Sequence, residues 1–373
     1  MKPRRGGPDT PARKPTPGVL HARAWLTPRV AVKSFVAAAR YRLTGHRAPL
    51  AAHISVTTRC DALCTYCAIP LRKTKELDTQ ELVELVDGFA RRGVVRVSLG
   101  GGEPLVRDDI GILVERCADH GMFCQLETNG YRYPARAHEL DRVGELVLSY
   151  DGEERAHDLN REPGSWEQAR AALGLARARG VPVRLRATLT RHTIDQVEHV
   201  IATAEAHDAL ADFQLLQHAP LLAEPLAKDL AAPPEALRAA LRRVLEARQA
   251  GRPVSNTEKS LRYLLSWEDF GTPTARAPHE DLHCLAGQLY VAVDADGTMN
   301  PCALWSGRFP GRSVRAGLDG ALEAVRDNPC RACTCATLAE YNFLYNLNGP
   351  ALVERLCAPE GRPFRTPRKD GTR

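Results

Sequence analysis

Three cysteines crowd into one short stretch, Cys60-x-x-x-Cys64-x-x-Cys67, in a chain of 373 residues. Three thiolates on one loop cannot complete a tetrahedral zinc site, which takes four protein ligands. Thiolates do suit iron–sulfur clusters, and a four-iron cluster held by three of them keeps one iron open to a further ligand. The competing reading, three buried cysteines acting as small hydrophobes, fits this spacing poorly. Far downstream stands a second group: Cys284, Cys302, Cys330, Cys333, Cys335 and Cys357. Of the eleven cysteines, only Cys117 and Cys124 stand apart. They fall on an apolar helix face and in a strand, where core packing is the expected role.

The elements that position the first group form a repeating pattern. Strands are expected at Ala52–Val56, Val94–Leu99, Met122–Glu127, Glu145–Ser149, Val183–Leu189 and Asp212–Leu216. Helix signals lie between them. Asp78 and Glu81 make a capping box before Leu82, Val86 and Phe89, and Gly93 stops that helix. Ile110, Leu113, Val114 and Cys117 share one helical face closed by Gly121, and Ser165 with Gln168 reads as a second capping box. The strands recur about every 32 residues, the size of a βα unit, so they should run parallel with right-handed crossovers. A closed eight-unit barrel takes about 250 residues, so six units suggest an open partial barrel, with a doubly wound sheet as the competitor.

Unusual residues sit just beyond strand ends. The cysteine triad follows the first strand and Gly100-Gly101-Gly102-Glu103-Pro104 the second. Thr128-Asn129-Gly130 ends the third and Ser149-Tyr150-Asp151-Gly152 the fourth. Parallel α/β barrels build active sites on that face.

The triad with Tyr66 as its aromatic, followed by the G-G-E-P run, resembles the radical S-adenosylmethionine (radical SAM) superfamily. The resemblance covers about residues 51–217. It implies an α/β fold with a partial (βα)6 TIM-type barrel. It also implies a [4Fe-4S] cluster on Cys60, Cys64 and Cys67, whose open iron is chelated by the amino and carboxylate groups of S-adenosylmethionine. Reduction would then release methionine and a 5′-deoxyadenosyl radical that abstracts hydrogen from a substrate. In the same scheme Tyr66 lies near the adenine, and Gly100, Gly101, Gly102 and Glu103 meet the methionine amino group. Ser149 matches a polar strand-four contact. Arg186 is a candidate partner for the cofactor carboxylate, with a structural role as the alternative. Asn129 and Asp151 are equally suited to shaping turns.

The downstream cysteines resemble the auxiliary-cluster extensions called SPASM and, in shorter form, twitch. Leu289–Val293 and Asp296-Gly297 between Cys284 and Cys302 read as a strand and hairpin turn. Cys330-x-x-Cys333-x-Cys335 departs from the full SPASM pattern. One auxiliary [4Fe-4S] cluster on Cys284, Cys302, Cys330 and Cys333 is the favoured reading. A second cluster using Cys335 and Cys357, or a structural zinc site, stays open. Glu340 and Asp294 are candidate bases should the reaction be an oxidation, while His157 and His218 read as surface or turn residues, with a place at the barrel mouth as the alternative. No phosphate-loop or His-Glu-x-x-His motif is present.

The expected organisation is a disordered basic leader (1–17), a helical extension (18–50), the barrel (51–220) and a helical linker (221–275). A small cysteine-rich SPASM/twitch-like domain with a closing helix (276–357) and a basic tail (358–373) follow. Helices are expected at 27–42, Pro234–Ala250, Asn256–Trp267 and Leu338–Leu356. Residues 1–50 carry eleven Lys/Arg against the single acid Asp9, although the whole chain is only +6. Residues 51–357 therefore carry a net −7, which disfavours nucleic acid as the main substrate. The absence of a secretory signal and of a long apolar run points to a cytoplasmic protein. Expected partners are an electron donor such as flavodoxin or ferredoxin and a peptide, lipid or other small-molecule substrate. The amphipathic stretch within 18–50 is read mainly as a cap on the barrel, with contact to an anionic membrane as the sharper alternative.

Overall fold

The structure, a computed structural model, describes residues 28–216, 229–267, 270, 282–328, 330 and 334–349. Cys333, Cys357 and His218 lie outside them, as does the domain boundary expected at residue 276. The chain opens with α1 (Pro28–Thr44), β1 (Ala51–Thr57), α2 (Thr79–Arg91), β2 (Arg96–Gly101) and α3 (Ile110–Asp119). It continues through β3 (Phe123–Thr128), α4 (Tyr133–Arg136), β4 (Glu145–Ser149), α5 (Glu154–Asn160), α6 (Ser165–Ala178) and β5 (Val183–Leu189). Then come α7 (Val197–Ala206), β6 (Leu210–Leu215), α8 (Pro234–Gln249) and α9 (Glu258–Leu265). The last described elements are β7 (Tyr290–Val293), β8 (Met299–Asn300), α10 (Leu318–Ala324) and α11 (Ala336–Tyr345).

Strands β1 to β6 pair in sequential order, each parallel to the next. A doubly wound sheet would reverse strand order part-way across. The sequential order gives the partial barrel instead. Its β1 edge is extended by β7, which pairs in parallel with Ala51↔Tyr290 through Ile54↔Val293, and β8 turns back antiparallel. The hairpin between Cys284 and Cys302 thus continues the barrel's own sheet. Sharing that sheet offsets the small apolar core that the segment could build alone.

Helices α2, α3, α6 and α7 cover the outer face. Leu82, Leu85, Val86 and Phe89 of α2 and Leu113, Val114 and Cys117 of α3 are buried there, in one core with Val97, Leu99 and Leu126. Cys124 joins the same core, as expected for both isolated cysteines. The Asp78–Glu81 capping box forms in full. The second box does not. Ser165 is the first helical residue of α6, and the capping acceptor is Asp158, whose carboxylate takes bonds from Gly164 N (2.7 Å), Ser165 Oγ (3.0 Å) and Trp166 N (2.9 Å). Asp158→Ala should therefore cost about 1–2 kcal/mol in urea unfolding, with Gln168→Ala close to neutral.

Glu340 is also structural. Its buried carboxylate accepts from Thr257 N (2.7 Å), Thr257 Oγ1 and Ser260 Oγ at the start of α9. A carboxylate held at a helix N-terminus offsets the orphan amides and is not free to act as a base. Asp294 is held by Asn300 Nδ2 (3.0 Å) and Ser306 Oγ (2.8 Å).

Candidate functional site

The cysteine loop leaves the C-terminal end of β1 and is tied down on three sides. The glycine run explains the first tie. Gly102 N donates to Thr57 O at 2.8 Å and Glu103 N to Arg59 O at 2.9 Å. A Cβ on Gly102 would stand 2.2 Å from Arg59 O, and one on Gly101, whose φ is +117°, 2.4 Å from Thr57 O. No side chain fits at either position. These glycines let the end of β2 lie against the backbone that enters the cysteine loop.

Glu103 makes the second tie. Its buried carboxylate accepts from Leu105 N (3.0 Å), Thr128 Oγ1 (2.8 Å) and Asn129 N (2.8 Å), so both oxygens are engaged within the fold. Asn129 in turn donates to Asp61 Oδ1 at 3.0 Å and faces the Cys60 sulfur at 4.0 Å. Burial raises the Glu103 carboxyl to about 7, against the pull of its three donors. Folded protein then holds a proton that unfolded protein has released, so this group's contribution to stability falls as pH rises from about 4.5 to 7. Thermal midpoints across that window should lose this component of their slope in Glu103→Gln.

The third tie comes from residues 160–162. Arg161 lies 3.7 Å from the Cys64 sulfur through Nη1, and its guanidinium sits 5.9 Å from the Tyr66 ring centre. Glu162 accepts from Leu63 N (3.0 Å) and Tyr131 OH (2.8 Å), while Thr65 Oγ1 donates to Asn160 O (2.7 Å). Asp151 anchors the arrangement. It is fully buried, paired with Arg161 Nε at 2.7 Å, and accepts from Asn160 Nδ2 (2.9 Å) and Thr188 N (2.8 Å). His157 is buried too, contrary to the surface reading. Its Nδ1 accepts from Asp151 N at 3.1 Å, and burial lowers its pKa to about 4, so the ring is neutral at pH 7.

The thiols of Cys60, Cys64 and Cys67 are partly buried, and burial pushes Cys60 up to about 12. Among the described residues, no three His, Cys, Asp or Glu side chains close around a single point as a lone metal ion requires. A multi-iron cluster makes a different demand, because it takes its thiolates at separate corners. Three sulfurs on one pinned loop, with Arg161 and Asn129 as donors beside them, suit that chemistry.

Below the loop a cavity of about 330 Å³ enters the barrel. Tyr66, Cys67, Glu127, Arg186, Thr188 and Gln214 line one side; Tyr290, Cys302, Leu304, Cys335, Leu338 and Tyr341 line the other. Arg186 reaches the cavity already paired, to Asp212 at 2.8 Å and Glu127 at 3.0 Å, and Ser98 Oγ donates to Glu127 at 3.0 Å. Deeper in the lumen Arg184 pairs with Glu145 at 2.9 Å. Ser149 ends β4 opposite Arg186 and lies outside the cavity lining. In the second group, Cys284 and Cys302 are buried and Cys330 and Cys335 partly buried. The Cys284 thiol falls to about 6 through its bond with Cys330, with Tyr290 OH at 3.6 Å and Asn328 Nδ2 at 3.7 Å.

The family model for the Radical SAM superfamily matches residues 54–204, the segment from β1 into α7 that carries the pinned cysteine loop. That segment is similar to the radical SAM superfamily. PqqA peptide cyclase from Ruegeria pomeroyi is 34% identical over 165 residues, 42% of this chain and 44% of that protein. The chain thus spans less than half the length of that relative. Pre-heme d1 synthase from Dinoroseobacter shibae is 26% identical over 317 residues, covering 75% of this chain and 78% of the synthase. The crystal structure of Streptococcus suis SuiB bound to S-adenosylmethionine aligns with a TM-score of 0.62 at 16% identity, over 78% of this chain and 69% of SuiB. That likeness supports the partial barrel. No helix among the described residues is long and apolar enough to cross a membrane.

The residues that surround the cysteines are only partly marked in the sequence. Asn160, Arg161 and Glu162 carry no motif; their only signal is a polar run after the strand-four turn. The lumen ladder of Ser98, Gln125, Glu127, Arg184, Asp212 and Gln214 has a signal in its period-two polar positions inside otherwise apolar strands.

Proposed function

We propose that this chain is a radical SAM enzyme in which Cys60, Cys64 and Cys67 hold the [4Fe-4S] cluster that binds S-adenosylmethionine. The observation that carries the reading is the cavity of about 330 Å³ bounded by Tyr66 and Cys67 on one side and by Cys302 and Cys335 on the other. When bound, the cluster and S-adenosylmethionine supply a 5′-deoxyadenosyl radical for hydrogen abstraction. The chain's own residues do the rest. Arg161 sets a positive charge beside the Cys64 sulfur, and Asp151 fixes that guanidinium in place. Tyr66 walls the cofactor side. Gly100, Gly101 and Gly102 hold the β2 end flush with the loop, leaving their backbone to meet the methionine amino group, while Glu103 anchors rather than reaches out. Ser149 and Arg186 are assigned to the cofactor's polar groups, Arg186 through whatever donor capacity Glu127 and Asp212 leave it. Leu215, Leu216, Leu304, Leu338 and Tyr341 exclude water from the reacting space.

Cys284, Cys302, Cys330 and Cys333 are assigned to one auxiliary [4Fe-4S] cluster, placed to accept an electron or orient a substrate. The cavity volume suits a small molecule or a single peptide side chain, at the low end of the range for ligand sites. A flavodoxin- or ferredoxin-type protein would supply the electron. The test is anaerobic reconstitution, iron analysis, and incubation with dithionite and S-adenosylmethionine. We expect 5′-deoxyadenosine and about eight irons per chain; about four irons would assign the second site to zinc or to no metal. Binding of S-adenosylmethionine without cleavage would favour a non-catalytic electron-transfer or scaffold protein.

A further inference from the structure

Helix α1 is built inside out for a capping helix. Its small residues Ser34 and Ala38 are buried, and Ala37 and Tyr41 pack on Leu50, Leu285, Leu289 and Tyr345. Its large apolar residues face outward: Val32 is 62% exposed, Phe35 57%, Val36 57% and Leu43 84%. At about 100° per residue these four and Ala39 occupy one stripe about 100° wide. Lys33 and Arg40 flank it on one side and Arg42 on the other, all exposed. Ridding water of such a stripe requires an apolar partner, and the flanking charge selects an anionic one. Between Thr10 and Cys60 the sequence contains no Asp or Glu, so nothing in this stretch opposes an anionic surface. An acidic protein groove would meet the charges, but a flat stripe bordered by cations on both flanks matches the interface of a bilayer, where acyl chains lie below a plane of headgroups.

We propose that α1 docks the protein on an anionic membrane surface, with Val32, Phe35, Val36 and Leu43 inserted and Lys33 and Arg40 on the headgroups. The helix is fixed to the body well enough to transmit this contact. Arg42 Nη2 donates to Asn346 O at 2.7 Å just beyond α11, and Tyr41 OH bonds Gln288. Helix α11 supplies Leu338 and Tyr341 to the cavity wall. Membrane contact would therefore lie one helix away from the reacting space.

The experiment is co-sedimentation of the full chain with vesicles of phosphatidylcholine alone and with 30% phosphatidylserine, an amount chosen as about that of an anionic leaflet. The expected result is at least about tenfold stronger binding to the anionic vesicles, lost in 0.5 M salt, where the Debye length shrinks to about 4 Å. The double variant F35E/V36E should bind at least about tenfold less while keeping its thermal midpoint and its 5′-deoxyadenosine yield, since both side chains are exposed and outside the cysteine loop and the cavity lining. Equal binding to both vesicle types, no binding by the parent chain, or undiminished binding by the variant would each overturn the proposal. The three binding outcomes that decide the proposal do not depend on S-adenosylmethionine cleavage, so a failure here is distinct from failure of the enzymatic reading.

Discussion

Under the proposed function, Cys64→Ala should lower 5′-deoxyadenosine formation at least about a thousandfold while leaving the iron of the proposed auxiliary cluster, about four atoms, on the protein. The size of the effect follows from the number of ligands. A cluster held by three thiolates has none to spare, and Cys64 is the middle one, 3.7 Å from Arg161 Nη1 on a loop bonded to Glu162 and Asn160. A purely structural cysteine predicts something else. Replacing a partly buried thiol with a methyl would cost a fraction of the fold's stability and leave iron content unchanged. Two measurements therefore separate the readings: iron per chain after anaerobic reconstitution, and deoxyadenosine by chromatography. Retention of full iron together with activity in Cys64→Ala would remove the cluster assignment. Cys117→Ala is the control, because that thiol lies fully buried in the core and should change stability without changing either readout.

Why the cysteine loop is legible in the sequence, and the residues around it are not, has a physical basis. A triad's chemistry is local, since spacing alone brings three thiols to one loop. The strands are legible for the same reason: alternation and capping boxes are short-range patterns, and β4 and β5 fall on their expected bounds. What holds the loop is non-local. Arg161 meets Cys64 across 97 positions, and Asn129 meets Asp61 across 68. Nothing in a sequence window links such pairs. The glycine run shows a subtler gap. Its composition announces a close approach of backbone, but the atoms approached are Arg59 O and Thr57 O, so the glycines serve the loop's backbone before any ligand. The apolar stripe of α1 is likewise visible as a periodicity, yet periodicity does not say which way a helix turns, and small residues take the inner face.

The second large effect is expected at Asp151. Asp151→Asn leaves the Arg161 guanidinium almost fully buried, 8% exposed, without its ionic partner. Breaking a buried pair on one side costs about 3–5 kcal/mol, because the remaining charge has lost what compensated its desolvation. The amide would keep a bond to one donor but would point N–H groups at Asn160 Nδ2 or Thr188 N, adding unsatisfied donors. The double variant Asp151→Leu with Arg161→Leu should recover part of the loss, since no charge is then stranded, and urea unfolding of all three proteins measures the coupling. The pH dependence has a definite sign. Despite burial, Arg161 and His157 hold the Asp151 carboxyl below the usual carboxylate range. Its contribution is thus complete above about pH 4, the unfolded value, and is lost as pH falls through the lower folded value. The gap between parent and Asp151→Asn should stay constant from about pH 5 to 8 and close only in acid. Because Arg161 also faces the Cys64 sulfur, the variant should assemble the proposed amino-terminal cluster less completely at neutral pH, so iron content and stability fall together. A variant that lost stability but kept its full iron would confine Asp151 to the fold and leave the charge beside Cys64 without a part in holding the cluster.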